Sequence, residues 1–198
     1  MDKKNDIREM LKKALRKEIL NENKKTTHDF GCIMVFLKFD KKVWDGLQAL
    51  IDDDDLYIDK DDDSYGLEQE PHITILYGLH EEIKDEDIEK DIDKIKEPGI
   101  SLGKVSSFNP GNYDVLKFDI KSPGLHKLNK IFTEYPHTNS FPDYHPHTTI
   151  SYIKPGLDKK YIKLLNDYIE ENGDIEIKPG KIVYSKVDGS KKEYKFAK

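Results

Sequence analysis

The sequence predicts an α+β fold made of two similar halves, and three observations carry that prediction. Strand-like and helix-like segments alternate, but hairpins interrupt them, which favours mixed sheets over a doubly wound parallel sheet. The predicted order is strand, helix, strand, helix, hairpin, then helix, strand, helix, hairpin, so the second half resembles the first. One heptapeptide also occurs twice. Pro71-His72-Ile73-Thr74-Ile75-Leu76-Tyr77 and Pro146-His147-Thr148-Thr149-Ile150-Ser151-Tyr152 agree at five of seven positions, and both fall on predicted strands.

Residues 5–22 read as an amphipathic helix, with Ile7, Met10, Leu11, Ala14, Leu15 and Ile19 at helical spacing. It docks on the body or contacts a partner. Residues 21–28 are a polar linker. The organisation expected is thus a helix and linker over 1–28 and one domain over 29–198. Residues 31–39 are a short continuous apolar run, the pattern of a strand buried on both faces. A helix follows over about 41–51, with Val43, Trp44, Leu47, Leu50 and Ile51 on one stripe. Residues 52–70 form an acidic, solvated loop. A calcium site there fails on spacing, because Tyr65 stands where the third ligand belongs in the series from Asp61 and Asp63.

Residues 72–79 are β-branched and aromatic, hence a strand. Residues 81–96 read as a charged helix with Ile88, Ile92 and Ile95 inward, ended by Pro98-Gly99. Residues 102–108 and 113–120 flank Asn109-Pro-Gly-Asn112 as a hairpin. Ser122-Pro123 opens a helix to about 134, with Leu125, Leu128, Ile131 and Phe132 facing the core. Residues 147–153 are a strand. Asp158 is expected to cap the next helix, whose stripe is Tyr161, Leu164, Leu165, Tyr168 and Ile169, ended by Gly173. Residues 175–178, 181–187 and 193–197 close the sequence as strands.

Composition narrows the function. The 198 residues suit one domain or two closely packed lobes, and 8 Phe, 11 Tyr and one Trp supply a core. No apolar run approaches the ~18 residues of a membrane span, and the N-terminus lacks the apolar stretch of a signal peptide. Cys32 is the single cysteine, so an intrachain disulfide and a Cys-rich zinc site are excluded. The expected compartment is the cytoplasm. The chain has 33 Lys+Arg against 39 Asp+Glu, net −6. Residues 1–27 hold 9 basic and 5 acidic residues, so the rest, with 24 and 34, is net −10. Both arginines, Arg8 and Arg16, lie in that first segment. A body of net −10 repels duplex DNA, so a small nucleotide or short oligonucleotide fits better as partner.

On a strand, residues i and i+2 share a face. His72 and Thr74 therefore project together, as do His147 and Thr149. Two such strands side by side line a cleft with two imidazoles and two hydroxyls. That set suits in-line displacement at phosphorus without a metal or other cofactor. One imidazole accepts a proton from the nucleophile, the other gives one to the leaving oxygen, and the hydroxyls donate to the non-bridging oxygens. A zinc reading of His145 and His147, with Asp143 and His137, leaves the first copy unexplained. His28, His80 and His126 receive no role, nor does His137 outside that reading.

The paired His-x-Thr strands resemble the 2H phosphoesterase superfamily, which includes the bacterial 2′-5′ RNA ligase-like phosphodiesterases. The resemblance covers about residues 31–198. The sequences around both motifs also resemble bacteriophage members. It implies a bilobal, pseudo-twofold α+β fold, with two mixed or antiparallel sheets lining a central cleft and helices outside. His72, Thr74, His147 and Thr149 then match the catalytic motifs. It implies a phosphodiesterase for a small cyclic phosphodiester or a short 2′-5′ or cyclic oligonucleotide. Some phage relatives degrade cyclic-oligonucleotide defence signals. Tyr77, Phe141, Tyr144 and Tyr152 flank the motifs as candidates for stacking on a base, and Lys154 as a phosphate clamp. Strand parity puts Tyr77 and Tyr152 on the face opposite the threonines, which favours core packing for both. A nucleotide-binding module without turnover is the competing class.

Overall fold

The computed structural model describes residues 28–62, 64–138, 143–173 and 175–197. The helix expected over 5–22 lies outside the described residues. The elements are β1 (Gly31–Phe39), α1 (Lys41–Gln48), a 3₁₀ turn (Asp53–Asp55), β2 (His72–Leu79), α2 (Asp85–Ile92), β3 (Ser101–Phe108), β4 (Asp114–Lys121), α3 (Pro123–Phe132), β5 (His147–Ile153), α4 (Asp158–Asn172), β6 (Ile177–Ser185) and β7 (Lys191–Tyr194). Their order is the predicted one. They form two antiparallel sheets, ordered β2-β1-β6-β7 and β3-β4-β5.

The two halves correspond from β1 to β3 and from β4 to β6, with the 3₁₀ turn and β7 as additions. In each, a strand leads through a helix to an antiparallel neighbour at the sheet edge: β1-α1-β2 in the first, β4-α3-β5 in the second. Each half then sends its next strand into the other sheet. β3 pairs with β4, and β6 pairs with β1. The edge strands β2 and β5 lie against each other, and α3 packs on β2 of the opposite half. One continuous core joins both sheets, from Ile33, Val35 and Ile73 through Trp44 to Phe118, Leu125 and Ile150.

Local chemistry accounts for most boundaries. The Asp40 carboxylate caps α1 by accepting from the backbone N–H of Lys42 and Val43. Ser122 caps α3 by accepting from Leu125 N–H, with Pro123 in the first turn. α4 departs from expectation. Its N-cap is Leu157, and Asp158 is already helical, with its carboxylate accepting from Ser107 Oγ at 2.9 Å. The turn before α4 is held instead by buried Asp114, which accepts from Gly156 N–H at 2.7 Å and Leu157 N–H at 3.2 Å. Leu164 of the predicted stripe is exposed.

Other departures have simple causes. β1 is buried on one face only. Ile33, Val35 and Leu37 enter the core, whereas Cys32, Met34 and Phe36 are half-buried on the face that becomes the cleft. An apolar cleft floor gives the same continuous run as a strand buried on both sides. α1 ends at Gln48 and α2 spans only Asp85–Ile92. The strands expected at 175–178 and 181–187 are one strand, β6, which carries Pro179 and Gly180 past a register shift opposite Phe36 and Leu37. The acidic loop is anchored rather than free, because Leu56 and Leu67 bridge to Ile153 and Ser151 of β5.

The loop entering β5 covers the end of β2 in the same way. Leu79 bridges to His137, and Thr138 N–H donates to Gly78 O at 2.9 Å. Gly78 has φ of 108°, and a Cβ there would lie 2.0 Å from the Thr138 carbonyl oxygen. Both the backbone strain and the close approach require glycine. Gly78→Ala is expected to cost at least ~2 kcal/mol and to lower Tm by about 4–8 °C, read by thermal unfolding.

Candidate active site

Each motif opens on a proline. Proline biases the preceding residue to extended backbone, so Glu70 and His145 present their carbonyls along the strand. His72 Nδ1 lies 3.0 Å from Glu70 O, and His147 Nδ1 lies 2.8 Å from His145 O. A carbonyl only accepts, so in both rings the Nδ1 carries the proton. The Nε2 is then left to take a proton when the ring is neutral or to give one when it is charged. The prolines are fixed to their sheets in matching fashion. Pro71 O accepts from Leu37 N–H and Pro146 O from Ile120 N–H, both at 2.9 Å.

The structure brings His72, Thr74, His147 and Thr149 to the half-buried face of two adjacent strands. It also corrects the parity argument for the tyrosines. Ile33 pairs with Leu76 and Met34 with Thr74, so Ile75 is an extra residue on β2. Leu116 pairs with Ser151 and Lys117 with Thr149, so Ile150 is the extra residue on β5. A bulge advances the side-chain alternation by one. After it, Tyr77 and Tyr152 return to the face of the threonines, and the intervening isoleucines are buried. Tyr77 is 51% exposed. The Tyr152 ring meets those of Tyr65 and Tyr113 edge-on, at centroid distances of 5.1 and 5.6 Å.

Two further candidates, Tyr144 and Lys154, are placed elsewhere. Phe141 lies outside the described residues. Tyr144 packs on the core with its ring edge-on to His126 at 5.3 Å, and its hydroxyl is buried without a partner. That burial pushes its acidity well below the ordinary tyrosine range. The Lys154 ammonium donates to Asp54 O and so ties down the acidic loop.

Register supplies residues that sequence reasoning did not single out. Phe36 lies opposite His72 on β1 and stacks on its ring at 5.5 Å. Asp119 lies opposite His147 on β4, and Lys117 opposite Thr149. Phe108 meets the His147 ring edge-on at 4.9 Å and carries the Lys117 ammonium 4.3 Å from its own centroid. Lys117, only 5% exposed, donates to Asp119 Oδ1 at 2.5 Å and to Ser106 Oγ at 2.7 Å. The Glu68 carboxylate lies 3.9 Å from His72 Nδ1. The alternation of Met34 with Phe36, and of Lys117 with Asp119, was visible; the registers that bring them beside the motifs were not.

The floors beneath the two motifs therefore differ in polarity. Under the first lie Met34, Phe36 and the Cys32 thiol. Burial pushes that thiol up to about 12, so it stays protonated. Under the second lies the Lys117–Asp119 pair. Burial pulls His147 below the ordinary imidazole value. The His145 carbonyl and Asp119 oppose this, while Lys117 and His72 add to it. A cavity of about 900 Å³ opens beside the first motif, bordered by Phe36, Glu70, Pro71, Lys181 and Tyr194. It contains neither motif histidine. Among the described residues, no three His, Cys, Asp or Glu are grouped to hold a metal ion, and no helix is long and apolar enough to cross a membrane.

No family model matches the chain, and no curated protein matches it. Among solved structures it is similar to that of Kluyveromyces marxianus Usb1 with uridine monophosphate. The identity is 13% and the TM-score 0.45, over 83% of this chain and 97% of that one.

His147 is expected to titrate below 6.5 by NMR, and a midpoint at or above that value contradicts its burial. Lys117→Met should raise the midpoint, because it removes a repelling charge and leaves Asp119 unopposed. A histidine with a lowered folded pKa contributes stability that is complete above the unfolded value near 6.5 and is lost as pH falls through it. His147→Gln should therefore lose less Tm than the wild type between pH 7.5 and 5.

Proposed function

We propose that the protein is a phosphodiesterase of the 2H type. It acts on a small cyclic phosphodiester or a short 2′-5′ or cyclic oligonucleotide, through acid–base catalysis by His72 and His147. The observation that carries this reading is the matched pair of imidazoles. Each has Nδ1 held by a carbonyl two residues back, and each has a threonine on the same cleft face.

The chemistry follows from those atoms. A phosphodiester seated between the strands meets one Nε2 on the side of attack and the other on the side of the leaving oxygen. The neutral ring takes the proton of a water or sugar hydroxyl as its oxygen bonds to phosphorus. The protonated ring gives its Nε2 proton to the departing oxygen as the P–O bond breaks. The two rings then hold exchanged protonation states, which solvent resets. Thr74 and Thr149 donate hydrogen bonds from their hydroxyls to the non-bridging oxygens, where charge accumulates. The exposed Tyr77 ring and the Tyr152 ring lie on the cleft face and supply surfaces for a base. The net charge of −10 outside residues 1–27 favours a short substrate over a long polyanion.

Turnover of a 2′,3′-cyclic nucleotide in the presence of EDTA tests the reading. Nucleotide binding without product overturns it in favour of a binding module, and loss of activity with EDTA in favour of a metal-dependent hydrolase. Each of His72→Ala and His147→Ala should lower kcat by about 10²–10⁴, and the double variant should be little worse. The pH profile should be bell-shaped; a rate rising steadily through pH 9 contradicts the pair. Thr74→Val and Thr149→Val should keep Tm and lose about 10²–10³ in kcat, since valine preserves shape and strand preference. Near-wild-type turnover in both removes the threonines from the mechanism.

A further inference from the structure

The bulges at Ile75 and Ile150 immediately follow Thr74 and Thr149, so their geometry fixes where each motif points. A bulge takes the extra residue's backbone out of the regular ladder. Here a side-chain amide from the opposite half binds each one. Asn129 Nδ2, on α3 of the second half, donates to Ile75 O of β2 at 2.7 Å. Gln48 Nε2, on α1 of the first half, donates to Ile150 O of β5 at 2.9 Å. The same Gln48 amide donates to Glu68 O at 2.9 Å, while Glu68 N–H donates to Ile150 O at 3.0 Å. Gln48 is only 5% exposed, which is unusual for an uncharged polar side chain unless its amide is satisfied.

The arrangement is reciprocal. Each helix bonds the motif strand of the other half, at the carbonyl one residue past the threonine. We infer that Gln48 and Asn129 are positioning residues that cross-pin the two bulges and thereby set the spacing of His72 against His147. This deepens the phosphodiesterase reading and rests on it for its kinetic consequence. Neither side chain is assigned any contact with substrate. Their effect is on the alignment of the reacting groups, where a displacement of about 1 Å costs about 10² in rate.

The test uses Gln48→Met and Asn129→Leu, which keep approximate volume and remove the donor. Two readouts are taken on the full-length protein. By NMR of the imidazole Cε1–H groups, Asn129→Leu is expected to move His72 and leave His147, although Asn129 precedes the second motif in sequence. Gln48→Met is expected to move His147. By kinetics on a 2′,3′-cyclic nucleotide, each should lower kcat about 10- to 100-fold with KM within about twofold. A folded Asn129→Leu that leaves His72 in place, or a folded Gln48→Met that leaves His147 in place, overturns the inference. Should either variant not fold, Gln48→Glu and Asn129→Asp replace it. A carboxylate cannot donate to a carbonyl, but its protonated form does. The pinned histidine should thus be displaced at pH 8 and return toward its wild-type shift as pH falls; no recovery overturns the inference. Absence of wild-type turnover on cyclic nucleotides and on short 2′-5′ and cyclic oligonucleotides alike defeats the phosphodiesterase reading and leaves the NMR result to decide the cross-pin.

Discussion

The antiparallel pairing of β6 with β1, and of β3 with β4, is the constraint on which the other features depend. Each half contributes a strand, a helix and an edge strand, and then completes the sheet of the other. This exchange brings the two edge strands together and lets one core run through both sheets. With β2 and β5 adjacent, each lies within reach of the other half's loops and helix amides. The motif strands are consequently held from both sides: by their own sheet on one edge and by the opposite half on the other.

Symmetry of backbone does not give symmetry of environment. The two rings share the same carbonyl contact at Nδ1, the same neighbouring threonine and the same bulge. What lies beneath them differs. An aromatic ring and a thioether floor the first, and a lysine–aspartate pair floors the second. Two imidazoles in equal surroundings would compete for one proton. Unequal floors instead set the two rings in surroundings of different polarity, apolar beneath His72 and charged beneath His147.

Much of this was legible in the sequence, for identifiable reasons. The heptapeptide repeat located both motif strands to the residue, because β-branched runs bounded by proline read unambiguously. Ser122-Pro123 marked the start of α3 through chemistry confined to one turn. Features that depend on partner strands were hidden. Parity sent Tyr77 and Tyr152 to the wrong face because a bulge is a relation between two strands, and nothing in Ile75 or Ile150 announces it. Nothing in the sequence singles out Lys117 and Asp119, which only register places against Thr149 and His147. The capping role expected of Asp158 fell to Asp114, forty-two residues before Gly156 whose N–H it accepts. The apolar face of Cys32, Met34 and Phe36 read as core because an apolar cleft floor and a buried face have one composition.

The exchange of strands also governs how the chain is made. β1 is among the first described segments to leave the ribosome, and its partner β6 is among the last. Until residues 177–185 have been synthesised, one edge of β1 has no native neighbour, and Ile33, Val35 and Leu37 belong to a sheet that is still open. Pairings this distant in sequence form slowly, and unpaired apolar edges associate with other chains. The first half is therefore committed to remain incomplete until the second half has supplied β6, and closure of its sheet waits on that strand.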